Sequence, residues 1–264
     1  MSKKIAYYAL HYGVEYLAWS IRSIQDCVDE IHVLYTDTPS FGHNAGAKPP
    51  GNESEERLLI EAHRFLKDPA KLRWHRVSAH GEGRHRMQIE QLAPGSDICV
   101  HVDADEIWDT ESLHRCIERA ESDNAFSWRA HFVHFWRSFD WVCVDPAMPE
   151  RVFNWNNRAA RITKYHGAEQ LVPVLHFGYA QSEALMKYKW TIHGHQPELR
   201  RDWFREKFLP WTPASGISDV HPTCEKDFWV PRRIEDHPSP AWILKTLYAQ
   251  LSDHPYAEGI PVIR

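Results

Sequence analysis

The sequence predicts a mixed α/β fold: a mostly parallel sheet flanked by helices, followed by a C-terminal helical and irregular extension. Three observations predict it. Over residues 3–102, strand-type apolar runs alternate with segments of helical period, as in strand–helix–strand units that build parallel sheets. The fourth run, Ile98-Cys-Val-His-Val, leads into Asp103-Ala-Asp105-Glu106-Ile-Trp108. Charge gathered at a strand's C-terminal end marks the place where open α/β sheets bind ligands. Beyond residue 109 the alternation gives way to irregular strand-like pieces and helices.

Residues 3–10 read as a first strand. Val14 to Gln25 carries Val14, Leu17, Ala18, Ile21 and Ile24 at helical spacing. Glu30 to Tyr35 is a second strand, ending at Thr36-Asp37. Residues 38–52 are rich in Gly, Pro, Asn and Ser and form a long loop, of a length often functional and able to close over a ligand. Glu53 to Leu66 is an amphipathic helix, Lys71 to Val77 a third strand, and Arg84 to Leu92 a short helix broken by Pro94-Gly-Ser. Asp97 to Val102 is the fourth strand. After it, Ala125–Trp136, Arg151–Thr163 and Gln170–Tyr179 read as strands, and Ser182–Trp190 and Pro197–Phe208 as helices. A last helix opens at Ser239-Pro240, with Ser at the cap and Pro in the first turn. We divide the chain into a ligand-binding α/β half, residues 1–109, and a second half, residues 110–264, within one continuous domain.

Across 264 residues the formal charge is −5, but it is unevenly spread. Residues 1–125 carry −7, residues 126–215 carry +4 and residues 216–264 carry −2. The basic middle also holds seven of the twelve tryptophans, which suits anionic or stackable ligands such as nucleotides, sugars or nucleic acid. The five cysteines are scattered without a Cys-x-x-Cys pair, which excludes a disulfide framework or zinc ribbon and fits reduced thiols in a cytoplasmic setting. No apolar run is long enough to span a membrane, and His11 and Glu15 interrupt the first one, so it reads as a strand rather than a signal peptide.

In a strand, Asp103 and Asp105 point the same way. Two carboxylates held so close repel unless a cation sits between them. Hard divalent ions take oxygen ligands and leave positions open for phosphate. The acidic cluster therefore predicts a metal–phosphate site with Mn²⁺ or Mg²⁺.

The chain resembles the nucleotide-sugar glycosyltransferases of the GT-A fold, in particular family-two-type enzymes with an Asp-x-Asp-Glu motif. Three segments carry the likeness, in the family's order: Ile5 to Asp37; Glu82-Gly-Arg-His-Arg-Met-Gln-Ile-Glu-Gln-Leu running into Val100-His-Val-Asp-Ala-Asp-Glu; and Arg158-Ala-Ala-Arg161-Ile-Thr-Lys followed by Val174-Leu-His176-Phe-Gly. It covers roughly residues 3–180 and fades beyond them. The resemblance implies that Asp37 contacts the base or ribose of the donor and that Arg86 lies near the donor. The family commonly has Asn after that Arg, where this chain has Met87. It further implies that Asp103 lies near ribose and metal, that Asp105 ligates the metal, and that His176 completes the metal site, with His193 and His221 as alternatives. Glu106 then supports the pair without touching the ion. Arg158 and Arg161 suit the diphosphate or the acceptor, because guanidinium matches oxyanions.

The implied activity is metal-dependent transfer of a sugar from a UDP- or GDP-sugar to an acceptor hydroxyl, on a glycan or another carbohydrate. An inverting reaction needs a carboxylate to take the acceptor's proton, and the candidates are Glu169, Asp145 and Asp140. Trp136, Trp141 and Trp155 are candidate platforms for the acceptor. The basic, aromatic middle also admits DNA as acceptor, with a hydroxymethylated pyrimidine flipped from the duplex. Two further readings are a nucleotidyltransferase, although His11-Tyr-Gly-Val offers a single glycine for a phosphate loop, and a non-catalytic nucleotide-sugar-binding module.

Overall fold

The computed structural model describes residues 2–39, 47–78, 81–145, 148–160, 163–164, 172–192, 198–223 and 229–257. Its first half follows the alternating pattern. Strand β1 (Lys4–Leu10) leads to helix α1 (Leu17–Ile24), β2 (Glu30–Tyr35), α2 (Glu55–His63), β3 (Leu72–Arg76), two short helices α3 (Glu82–Met87) and α4 (Ile89–Leu92), and β4 (Ile98–His101). The short helix expected over residues 84–92 is thus two short helices that meet at Gln88. Then come β5 (Glu106–Trp108), α5 (Thr110–Ser122), β6 (Ser127–Trp136), β7 (Trp141–Val144), β8 (Glu150–Asn154), β9 (Thr163–Lys164), β10 (Val172–Tyr179), α6 (Glu183–Ile192), β11 (Arg232–Arg233) and α7 (Pro240–Leu251).

All these strands join in one sheet. Neighbouring strands β3, β2, β1 and β4 are mutually parallel. Strand β8 pairs antiparallel with both β4 and β6 and so links the parallel part to the mixed part. The second half of β6 pairs in parallel with β10 and antiparallel with β7. The chain runs β1→β2→β3 in one direction and then crosses back to place β4 on the other side of β1. Two neighbouring strands whose connections leave in opposite directions open a crevice at their C-terminal ends.

Local chemistry accounts for the helix starts. Ser54 Oγ accepts from Arg57 N at 3.3 Å, with Glu55 and Glu56 in the first turn of α2. Asp109 Oδ1 accepts from Ser112 N at 2.9 Å and caps α5. At α7, Pro240 occupies the first turn as expected, but the Ser239 side chain makes no cap bond; Ser239 N–H donates to His237 Nδ1 instead, at 3.0 Å. Apolar faces of α1 and α5 cover one side of the parallel strands, with Leu17, Ile21, Val33, Val100 and Ile117 buried together. Trp136, Trp203, Phe208, Trp211 and Trp229 form a separate aromatic core beside the mixed half.

Three expectations need correcting. Strand β4 ends at His101, so Asp103 and Asp105 stand in the turn between β4 and β5 rather than on a strand tip. The stretch 151–163 is strand only to Asn154 and then turns helically through Trp155–Ala160. Around residues 198–208 the helical part is a single wide turn, Phe204–Phe208. Residues 40–46 of the long loop lie outside the described residues.

Candidate active site

Strand pairing builds the site. Val102 N–H donates to Tyr7 O at 3.0 Å, continuing the β1–β4 ladder past the end of β4. The chain then turns through Asp103-Ala104-Asp105, closed by Glu106 N–H to Asp103 O at 3.0 Å. Strand β5 pairs antiparallel with β10, with Glu106 opposite His176, and Phe177 N–H donates to Asp105 O at 2.8 Å. Thus β10 delivers His176 to the acidic turn. Past β10 follow Gln181 and α6, which brings Lys189. The opposite walls are α3, with Glu82, His85 and Arg86, and the segment after β1, with His11, Tyr12, Gly13 and Glu15. Together they enclose a cavity of about 380 Å³. Gly13 is required there: its φ is +138°, and a β-carbon on it would stand 2.5 Å from Ala104 Cβ.

Asp103 is held by cations from two directions. Arg151 Nη2 donates to its Oδ2 at 2.9 Å, and Arg86 Nη2 reaches its Oδ1 at 3.5 Å. The same Arg151 grips Glu106 Oε1 through Nε at 3.0 Å and Nη2 at 2.8 Å, and donates through Nη1 to His101 Nδ1 at 3.2 Å. Burial alone would raise the Asp103 carboxyl; Arg151, His101 and Arg86 instead hold it well below the usual carboxylate range. Glu106 is fully buried, and burial pushes its carboxyl up against the pull of Arg151. Burial and the Arg151 charge lower His101 to about 4.

Asp105 has a different environment. Its Oδ2 accepts from Lys189 Nζ at 3.1 Å and from Gln181 Nε2 at 2.8 Å. Its Oδ1 faces His176 Nε2 at 3.7 Å. Burial raises the carboxyl, but Lys189 and His176 carry it below its ordinary value. Burial lowers His176 to about 4, with Asp105 pulling the other way. The His176 ring stacks on Phe132, with centroids 5.2 Å apart, and Gly178 leaves room for it. Gln181 Oε1 is buried with no hydrogen-bond partner. Because Asp105 can only accept, the amide orientation is fixed, and its carbonyl is the end left over.

The repulsion expected between Asp103 and Asp105 is therefore offset by side-chain cations, Arg151 and Arg86 on one carboxylate and Lys189 on the other. The cavity gathers four of the expected site residues: Asp103, Asp105, Arg86 and His176. Others lie elsewhere. Asp37 is exposed after β2, in electrostatic reach of His11. Arg158 is exposed and paired with Glu90. Asp140 lies in the β6–β7 connection, where its backbone carbonyl accepts from Ile234 N. Asp145 follows β7, buried, its Oδ2 3.8 Å from His134 Nε2. His221 packs edge-on against Trp229, Met87 points to solvent, and Trp136 is buried in the aromatic core. Glu169, Arg161 and His193 lie outside the described residues.

Sequence reasoning missed Lys189, Gln181, Arg151 and Glu15. Lys189 had a signal: it sits four residues after Leu185 and three before Ile192, which puts a lysine on the buried stripe of α6. Arg151 lies at the start of a stretch read only as strand-like, and nothing in its neighbourhood marks it as the partner of Asp103 and Glu106.

Among the described residues no group of three or more His, Cys, Asp or Glu side chains converges to hold a metal ion. Two donors do face each other across the cavity, Asp105 Oδ1 and His176 Nε2. That pair suits an ion that takes its remaining ligands from water and substrate phosphate, as Mg²⁺ and Mn²⁺ commonly do.

No protein-family model matches the chain, and no curated protein matches it. Solved structures resemble it distantly. Glucosyl-3-phosphoglycerate synthase from Mycobacterium tuberculosis, in complex with Mn²⁺, UDP and phosphoglyceric acid, is 17% identical with a TM-score of 0.35, over 50% of this chain and 43% of that one. The chain thus spans about two-fifths of that protein's length. LgtC, in an active-site mutant form, is 11% identical with a TM-score of 0.35, over 60% of this chain and 59% of that one. The 4-diphosphocytidyl-2C-methyl-D-erythritol synthase of Anaerococcus prevotii DSM 20548 is 12% identical with a TM-score of 0.36, over 72% of this chain and 98% of that one. At these scores the likeness carries no functional weight. Among the described residues no helix is long and apolar enough to cross a membrane.

Proposed function

We propose that this chain is a metal-dependent glycosyltransferase that moves a sugar from a nucleoside-diphosphate sugar to an acceptor hydroxyl, in a site to which both halves, residues 1–109 and residues 110–264, contribute. One observation carries the reading. Asp105 Oδ1 and His176 Nε2 stand 3.7 Å apart at the C-terminal mouth of the sheet, in a cavity also lined by Arg86 and Lys189. Asp105 and His176 would hold Mn²⁺ or Mg²⁺, and such an ion neutralises charge on a departing diphosphate.

The chain's own groups do the rest. Arg86 and Lys189 present positive charge to the phosphates, which orients the donor and stabilises the leaving group. Arg151 keeps Asp103 ionised and fixed, so that the Asp-Ala-Asp turn keeps its shape when the donor arrives. The carbonyl of Gln181, buried in the cavity wall without a partner, would accept a hydrogen bond from a sugar hydroxyl. Glu15 also lines the cavity, its Oε2 held by Ser182 N–H at 2.9 Å. Of the cavity carboxylates outside the acidic turn, Glu82 is paired with Arg86, which leaves Glu15 as the proposed base for the acceptor's proton in place of Asp140 or Asp145, neither of which lines the cavity.

A thermal-shift screen of UDP-, GDP-, CMP- and dTDP-sugars with Mn²⁺ tests this, because a ligand that binds only the native state raises its apparent stability. The proposal requires a metal-dependent shift with one donor that is lost in Asp105→Ala. Shifts absent for every donor, or unchanged in that variant, would contradict it.

A further inference from the structure

His176 does not stand alone. It lies directly opposite His134 in the β6–β10 register, and the two rings meet through Nδ1 and Nδ1 at 2.8 Å. Such a contact needs one proton between the two nitrogens: one ring donates and the other accepts. Whichever ring donates through Nδ1 has, when neutral, a bare Nε2. Each Nε2 faces a carboxylate at nearly the same distance, His176 toward Asp105 at 3.7 Å and His134 toward Asp145 at 3.8 Å.

The arrangement has two consistent states. In one, His134 donates to His176, and His176 carries its other proton toward Asp105. In the other, His176 donates to His134, and His134 carries its other proton toward Asp145. Only the second leaves a lone pair on His176 Nε2, which a metal ion needs. His134 is buried and His176 half-buried, and desolvation lowers both from their ordinary range. Packing fixes the geometry: Phe132 lies against His176 and Trp229 against His134.

We propose that His134 and Asp145 are positioning residues that form, with His176 and Asp105, a coupled tautomer pair: loading a divalent cation between Asp105 and His176 moves the shared proton from His134 Nδ1 to His176 Nδ1 and leaves His134 protonated on Nε2, facing Asp145. The proton count of the pair is unchanged: the shared proton passes from His134 Nδ1 to His176 Nδ1, the Nε2 proton of His176 leaves to water as the ion binds, and His134 Nε2 takes up one proton from water on the Asp145 side. The role of Asp145 is thus to hold that proton end rather than to meet the acceptor. The inference rests on the proposed metal site, and its test separates the two.

The test is ¹⁵N NMR of histidine tautomers in the full-length protein, recorded without metal, with Mg²⁺ and with Mg²⁺ plus UDP. In the metal-loaded protein His176 should be protonated on Nδ1 and bare on Nε2, and His134 protonated on Nε2; in Asp105→Ala, Mg²⁺ should leave both unmoved. Mn²⁺ affinity by EPR gives a second readout. A His134→Gln side chain still accepts from His176 Nδ1, so its affinity should stay within about threefold of wild type. His134→Phe cannot accept, and should weaken Mn²⁺ by roughly 10–100-fold. A metal response at His176 that leaves His134 protonated on Nδ1, or equal affinities in the Gln and Phe variants, overturns the coupled pair and spares the metal site. Absence of any response at His176 overturns both.

Discussion

Gly178 and His176 are matched in shape: a β-carbon added at residue 178 would stand 2.3 Å from the imidazole Cε1 and 2.8 Å from Nε2. The ring that faces Asp105 therefore lies over the backbone two residues further along β10, and any side chain there displaces it. The Gly178→Ala protein should fold, with a stability loss of about 1–3 kcal/mol, and should bind Mn²⁺ at least tenfold more weakly by EPR. Wild-type affinity in that variant would show that the ring's position does not matter.

Gly13 and Ala104 give a second shape constraint, between the end of β1 and the acidic turn. At φ +138°, with a β-carbon 2.5 Å from Ala104 Cβ, Gly13→Ala combines backbone strain with a clash. Urea denaturation should show a loss of about 1–3 kcal/mol. Donor binding should fall as well, because the turn that moves carries Asp103 and Asp105. A loss confined to stability would mean that the turn re-forms unchanged.

Arg151 joins the buried Glu106 and the half-buried Asp103 to the sheet. Arg151→Met leaves Glu106 and Asp103 without their guanidinium, and breaking a buried pair from one side costs about 3–5 kcal/mol. Lysine should rescue little, since one ammonium cannot reproduce a fork that spans Glu106, Asp103 and His101. Chemical denaturation checks both variants. A loss below about 1 kcal/mol in Arg151→Met would contradict the assignment.

Stability should also fall on the acid side of neutrality, and His254 is one identified cause. Its Nε2–H donates to Glu15 O at 2.9 Å and its Nδ1 accepts from Tyr256 N–H at 3.1 Å. A second proton would therefore face an N–H. Burial lowers the group from 6.5 to about 4. Its contribution is fully present above pH 6.5; between 6.5 and 4 the unfolded chain binds the proton and the native state resists it, so stability declines as pH falls. The full effect is up to about 3 kcal/mol. Denaturation midpoints of wild type and His254→Gln should converge as pH drops from 7 to 4. Parallel curves would remove His254 from the account.

The parallel part of the fold was legible because each of its elements repeats a simple period: Leu17, Ile21 and Ile24 along one face of α1, and apolar runs in β1, β2 and β4. The mixed half was less so. Its strands are paired on several sides, and Trp155–Ala160 continues a strand-like sequence as helical turns. In the site, Asp103 and Asp105 stood out by their charge at the end of a strand-type run, and Arg86 and His176 entered only through the family resemblance. Arg151 could not be picked out, since its partners come from a distant strand and turn; Lys189 carried a signal, a lysine on the buried stripe of α6, but its partner Asp105 is a tertiary fact. The alternation argument for Asp103 and Asp105 assumed a strand where the chain turns. Their convergence comes instead from the close approach of Gly13 and from the pairing of β5 with β10.

The central claim is that Asp105 and His176 together hold the ion that carries the donor's diphosphate. Anomalous diffraction from crystals soaked with Mn²⁺ and either UDP or GDP tests it most directly. The account predicts a Mn²⁺ peak about 2.0–2.3 Å from both Asp105 Oδ1 and His176 Nε2, with phosphate oxygens completing the shell and Arg86 within reach of them. A nucleotide bound in the cavity with no anomalous peak between those two atoms would contradict it.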